Sequence, residues 1–133
     1  NKKGIFVADF GGKIIGYVFS LTLSNAKKIS LLNPFLAKFL KIKYKNKKLF
    51  DYKWIIEGQI LVDKEYKGIG IVEKLQESFI NLMKKKYELI ISEISDQNPR
   101  SLYVATKKLG FKVVEKYSVG GRIWYLIIYD LRK

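Results

Sequence analysis

The stretch Val62–Leu75, VDKEYKGIGIVEKL, decides how this chain folds. It continues an apolar strand ending in Gln59-Ile60-Leu61-Val62 and turns through Lys67, Gly68 and Gly70 into an amphipathic helix. Glycines at such a turn let backbone N–H groups approach an anion closely, and the helix N-terminus adds its partial positive charge. The turn is therefore a seat for phosphate.

Outward from that turn the elements fall into order. The helix is predicted over 70–86, with Val72, Leu75, Phe79, Leu82 and Met83 at helical spacing and Lys84-Lys85-Lys86 in its last turn, where cations suit the dipole. Upstream, residues 54–62 read as a strand, and downstream residues 88–95, ELIISEIS, read as another. Asn98-Pro99 opens a second helix that closes at Gly110, and 111–119 with 122–130 form a hairpin around Gly120-Gly121. The chain begins with a further hairpin over 4–21, turned by Gly11-Gly12. Residues 24–50 form a basic segment studded with apolar residues. In it Asn33-Pro34 is a helix start, Asn as cap and Pro at the first helical position, with Phe35, Leu36, Phe39 and Leu40 on one face. The order β-β-insert-β-α-β-α-β-β predicts an α/β fold of the α+β kind: a mixed sheet with antiparallel ends. The 133 residues suit one domain, 1–133, carrying a basic apolar insert at about 24–53.

Composition narrows the chemistry. The chain has no cysteine and no histidine, so a Ser-His-Asp triad, a thiol nucleophile and an ordinary zinc site are excluded. Acid–base work falls to Glu, Asp, Tyr, Lys or water, and no metal site is expected. Lys and Arg number 26 against 12 acids, a net charge of +14. That balance favours anionic partners, nucleotides, nucleic acid or an acidic membrane surface, although scattered lysines also fit a plainly solvated surface. Only Arg100, Arg122 and Arg132 offer the planar fork that phosphate clamps use. No apolar run reaches the roughly 20 residues of a membrane span. No signal peptide is visible, and a cytoplasmic location is the expectation. The oligomeric state is not indicated.

Three motifs in this order resemble the GNAT superfamily of acyl-CoA-dependent N-acyltransferases. The family's phosphate turn, R/Q-x-x-G-x-G/A, is matched by Lys67-Gly68-Ile69-Gly70-Ile71-Val72, with Glu65-Tyr66 before it. A family-like N-x-x-(A/S)…K-x-G-F segment is matched by Asn98-Pro99-Arg100-Ser101 and Lys107-Lys108-Leu109-Gly110-Phe111. The opening hairpin, VADFGGKIIGYVFS, is similar to the family's second and third strands. The resemblance covers the chain apart from residues 24–53. Lys67 stands where Arg or Gln is usual, Val72 where a small residue is usual, and the family's first strand and early helices have no counterpart here.

The resemblance implies direct transfer of an acetyl or other acyl group from acetyl-CoA to a primary amine, without an acyl-enzyme. It implies that backbone N–H groups of Gly68, Ile69, Gly70, Ile71 and Val72 hold the pyrophosphate while Lys67 adds charge. Leu61 and Val62 would pair their backbone with the pantetheine arm, an N–H near Val62 would polarise the thioester carbonyl, and Asn98 would bond the arm or merely cap its helix. A lysine-like amine is ionised at pH 7, which costs about 4.6 kcal/mol to reverse, so a base is needed. Glu57 is the first candidate, sharing a strand face with Gln59 and Leu61 if pairing is regular; Glu93 and then Asp96 follow. The family's acidic Tyr, four residues before the Gly of Gly-Phe, is Thr106 here, and Tyr103, one turn earlier, is the substitute. A packed aromatic is the competing reading of Tyr103. The insert either covers the sheet or presents lysines to an anionic acceptor, RNA or acidic lipid. The alternative to an enzyme is an inactive GNAT-like module binding nucleic acid or another acidic partner.

Overall fold

A computed structural model describes residues 5–66, 68 and 70–132. The chain opens with the hairpin β1 (Ile5–Phe10) and β2 (Lys13–Thr22). Gly11 and Gly12 turn it at φ of 60° and 86°, as a two-residue hairpin turn requires. The short α1 (Leu23–Ala26) and α2 (Asn33–Phe39) follow, then the small hairpin β3 (Lys43–Tyr44) and β4 (Lys47–Lys48). The longest elements come next: β5 (Trp54–Val62), α3 (Ile71–Met83) and β6 (Leu89–Ser95). The chain closes with α4 (Pro99–Tyr103), β7 (Lys112–Val119) and β8 (Arg122–Asp130). Six strands form one sheet in the order β1-β2-β5-β6-β8-β7, antiparallel throughout except for the central pair β5 and β6. This is the mixed α/β sheet with antiparallel ends that the sequence predicts.

Both faces of the sheet are covered. On one, Leu75 and Phe79 of α3 pack with Val18, Ile55, Ile90 and Ile127. On the other, Phe39 of α2 packs with Trp54, Leu89, Ile91, Leu126 and Ile128, and Phe35 and Leu36 lie against the same cluster. That is why β6 begins as an unbroken apolar run, Leu89-Ile90-Ile91: alternate residues serve opposite cores. The insert is anchored at its far end by Asp130, which accepts from Arg132 Nη2 at 2.8 Å, Lys45 Nζ at 3.3 Å and the Tyr44 hydroxyl at 3.2 Å.

Local readings need four corrections. Asn33 does not cap α2: a 3-10 turn, Ser30–Leu32, runs directly into the helix. Asn33 is already helical at φ −54° and ψ −42°, whereas a cap residue needs extended dihedrals to turn its side chain onto the first N–H groups. α3 stops at Met83, where Lys86 N and Tyr87 N both turn back to the Met83 carbonyl, so the three lysines lie beyond the helix and Leu82 is 45% exposed. The β3–β4 hairpin is new. Its turn residues Lys45 and Asn46 have φ of 50° and 67°, but KYKNKK lacks the apolar alternation that announces strands. The second helix also changes character, continuing from α4 as a π-helical turn over 104–108 before Gly110 ends it at φ 83°. Among the described residues no helix is long and apolar enough to cross a membrane.

Candidate active site

The parallel pair at the centre of the sheet comes apart. β5 and β6 pair at Trp54/Leu89, Ile55/Ile90 and Ile56/Ile91, and the ladder ends there. The cause lies on the other edge of β5. Ser20 faces Glu57 and Phe19 faces Gln59, leaving Gly58 as an extra residue, a β-bulge that bends the strand. A Cβ at Gly58 would lie 2.9 Å from Phe19 Cδ2, so glycine lets the bulge sit down on its neighbour. Ser92 Oγ donates to the Glu57 carbonyl at 2.7 Å, satisfying the acceptor at the point where the strands part. Beyond it a cavity of about 710 Å3 opens, bounded by both strands, by the glycine turn and by the helix that begins at Pro99.

The turn at its mouth has the geometry of an anion seat. Gly68 and Gly70 have φ of 83° and 81°, a left-handed conformation that costs other residues about 1–2 kcal/mol. A Cβ at either would meet nothing within 4 Å; the glycines serve the backbone path, and the space before them is free. Gly70 immediately precedes α3, and Lys74 N donates to the Gly70 carbonyl at 3.0 Å. The first N–H groups of a helix have no partner within it, and Gly68, Gly70, Ile71 and Val72 all line the cavity. Leu61 and Val62 line it too, Leu61 47% exposed and Val62 buried. Lys67 and Ile69 lie outside the described residues.

Two carboxyl groups bound the cavity, on opposite faces of the sheet. Glu57 does not share a face with Gln59 and Leu61: the bulge shifts the alternation, and Glu57 turns with Ile55 toward α3. There its Oε1 accepts from Gln76 Nε2 at 2.9 Å, and burial pushes its pKa up to about 7. Gln76 Oε1 has no partner among the described residues. Glu93 alternates with Leu89 and Ile91 and faces the insert side, where Glu93 Oε2 accepts from the Tyr117 hydroxyl. Burial raises Glu93 to about 7 as well, against the opposing effect of that hydrogen bond. Desolvation first, and then the charge of Glu93, raise Tyr117 far above the ordinary tyrosine range.

The helical segment after Asn98 distributes its residues unequally. Asn98 lines the cavity while its Oδ1 accepts from Ser101 N at 3.4 Å, so it does cap its helix. Arg100 and Lys108 line the cavity, as do Val104 and Ala105. Tyr103 does not: it is 54% exposed and absent from the lining, because the helix turns Ser101 and Val104 inward and Tyr103 outward. Thr106 Oγ1 donates to the Leu102 carbonyl at 2.8 Å, engaged within its own helix.

The sequence pattern of the acetyltransferase (GNAT) family matches residues 1–111. The chain belongs to the GNAT family. Enzymes of this family generally transfer acyl groups from acyl-CoA. Solved structures share the fold. An acetyltransferase aligns with 96% of this chain and 70% of its own at a TM-score of 0.66 and 18% identity. An N-acetyltransferase from Staphylococcus aureus Mu50 aligns over 96% and 67% at 0.63 and 20% identity. The yncA protein of Salmonella typhimurium, solved with its cofactor acetyl-CoA, aligns over 97% and 65% at 0.61 and 16% identity. No curated protein sequence matches this chain.

The residues present fit the GNAT cofactor. Two glycines leave an open cradle at a helix N-terminus, the parted strands leave backbone of residues 58–62 outside the β6 ladder, and Arg100 and Lys108 add positive charge to the same cavity. Sequence reasoning missed Gln76, Ser92, Tyr117 and Trp124, and it names Arg100 only as a phosphate-clamp candidate. Gln76 had a signal, an amide at an inward position of an apolar helix face. For the others the strand pairings were required.

Proposed function

We propose that this chain is an acyl-CoA-dependent N-acyltransferase that acylates a primary amine by direct transfer. The observation that carries the reading is the parted pair of parallel strands opening onto a left-handed glycine turn at a helix N-terminus. Backbone N–H groups of residues 68–72 and the Lys67 ammonium hold the pyrophosphate. The free edge at Leu61 and Val62 takes the pantetheine arm as an added strand, and an N–H near Val62 polarises the thioester carbonyl. When bound, the cofactor would supply an acyl thioester: the neutral amine nitrogen would bond to its carbonyl carbon, the C–S bond would break, and the leaving thiolate would take up the proton shed by the new amide nitrogen.

The proton of the ammonium goes to Glu93 rather than Glu57. Glu57 turns to the face of α3, the side of the phosphate seat, and its carboxyl is engaged by Gln76. Glu93 turns to the opposite face, from which an acceptor meets the thioester without crossing the cofactor. The Tyr117 hydroxyl fixes the position of its carboxylate, and a base near pH 7 suits general-base work at neutral pH. Glu93→Gln should retain acetyl-CoA affinity, measured by calorimetry, and lose about 10²–10⁴ in kcat. Tyr117→Phe should keep the activity but move its pH profile. A folded wild-type protein that binds no acetyl-CoA refutes the cofactor reading. One that binds it yet releases no thiol with any amine supports the inactive module, which the absence of a phenol at Thr106 favours.

A further inference from the structure

α2 turns Phe35, Leu36 and Phe39 onto the sheet and its opposite side outward. At about 100° per residue, Pro34, Ala37, Lys38 and Lys41 lie on that outward side, and all four are exposed. Leu31, in the 3-10 turn that feeds the helix, and Leu40, at its C-terminal end, stand on the two shoulders. They are the most exposed large apolar side chains among the described residues, at 83% and 67%. Lys27, Lys28 and Ile29 lead directly into the same 3-10 turn and are exposed as well.

This face is apolar and basic at once. No acidic residue occurs between Asp9 and Asp51. Lys27, Lys28, Lys38 and Lys41 have no ion-pair partner among the described residues. A single exposed leucine needs no explanation. Two leucines and an isoleucine among four unpaired lysines, on one short helical segment, match the two attractions of a lipid surface. Anionic headgroups draw the lysines, and the boundary between headgroups and acyl chains takes the apolar side chains. RNA fits the face less well. Residues 24–53 hold no arginine, and their rings Phe35, Phe39, Tyr44, Phe50 and Tyr52 are buried or half-buried, leaving none exposed for bases to stack on.

We infer that the outward face of α2 docks on an anionic phospholipid bilayer, with Leu31 and Leu40 entering the headgroup–acyl boundary and Lys27, Lys28, Lys38 and Lys41 lying at the lipid phosphates. α2 and α3 cover opposite faces of the sheet, so a docked α2 leaves the glycine turn and the start of α3 away from the bilayer. The inference does not depend on the acyl-transfer reading.

Vesicles of phosphatidylcholine, with and without about one-third phosphatidylserine, test it by co-sedimentation. The protein should bind the anionic vesicles and not the neutral ones, and binding should weaken as the Debye length falls from about 10 Å at 0.1 M to about 3 Å at 1 M salt. Lys38→Glu/Lys41→Glu should weaken binding at least about twentyfold, since each lysine near an anionic surface contributes roughly fivefold. Lys84→Glu/Lys85→Glu, the same charge change beyond α3, should weaken it far less. Leu31→Ser/Leu40→Ser alters only exposed positions and should weaken binding about tenfold at unchanged charge. The chain has no cysteine, so Leu40→Cys and Lys85→Cys each carry a polarity-sensitive dye at one site. Anionic vesicles should shift the emission of the dye at position 40 to the blue and leave that at position 85 unchanged.

Equal binding to neutral vesicles overturns the inference. So does a serine variant that binds like wild type, an equal loss from the two charge reversals, an unshifted dye at position 40, or single-stranded RNA that displaces the protein from anionic vesicles by binding it more tightly.

Discussion

Replacing Glu57 by Gln should stabilise the protein at high pH and leave it unchanged at low pH. The buried Glu57 carboxyl accepts from Gln76 Nε2 at 2.9 Å, while Gln76 Oε1 has no partner among the described residues. A protonated Glu57 completes the pair, returning an O–H to that oxygen; an ionised one cannot. A Gln side chain at this position offers the same acceptor and donor at every pH. Burial raises the Glu57 pKa from 4.5 to about 7. The folded state therefore binds the proton more tightly than the unfolded state, and stability falls as pH rises between those values. The gap amounts to about 3 kcal/mol. The stability of Glu57→Gln minus that of wild type should thus be near zero below pH 4.5 and climb to about 3 kcal/mol above pH 7. Glu93 contributes the same slope to both proteins and cancels in the difference. Urea unfolding at a series of pH values measures it directly. A difference that stays flat with pH, or falls, refutes the argument that a neutral acid–amide pair holds β5 to α3.

Three further outcomes follow from the geometry. Gly70→Asp puts a carboxylate into the open cradle at φ 81°; calorimetry should find acetyl-CoA binding abolished, with stability lowered by only about 1–2 kcal/mol for the left-handed backbone. Ser92→Ala removes the 2.7 Å donor to the Glu57 carbonyl and should cost about 1–3 kcal/mol in a denaturant titration. Tyr103→Phe should leave kcat at the wild-type value, since Tyr103 is exposed and outside the cavity lining; a large loss in steady-state assays would return it to the chemistry.

The amino-acid sequence announces the order of elements outside the insert, the bounds of β5, the glycine turn and the family, because these are local. Strand alternation, helix period and left-handed glycines are written within a few neighbouring residues. It also determined the uneven charge of the insert. Which side chains meet is settled by long-range packing instead. The bulge at Gly58 reverses the face of Glu57, and nothing near Glu57 in sequence announces it, since the extra residue is defined only against Phe19 and Ser20 of another strand. The partnership of Glu93 with Tyr117 spans 24 residues and depends on β6 and β7 flanking β8. The outward turn of Tyr103 depends on how α4 sits against the sheet. One residue of register exchanges the two faces of a strand, and register is set by pairing partners that lie far away along the chain.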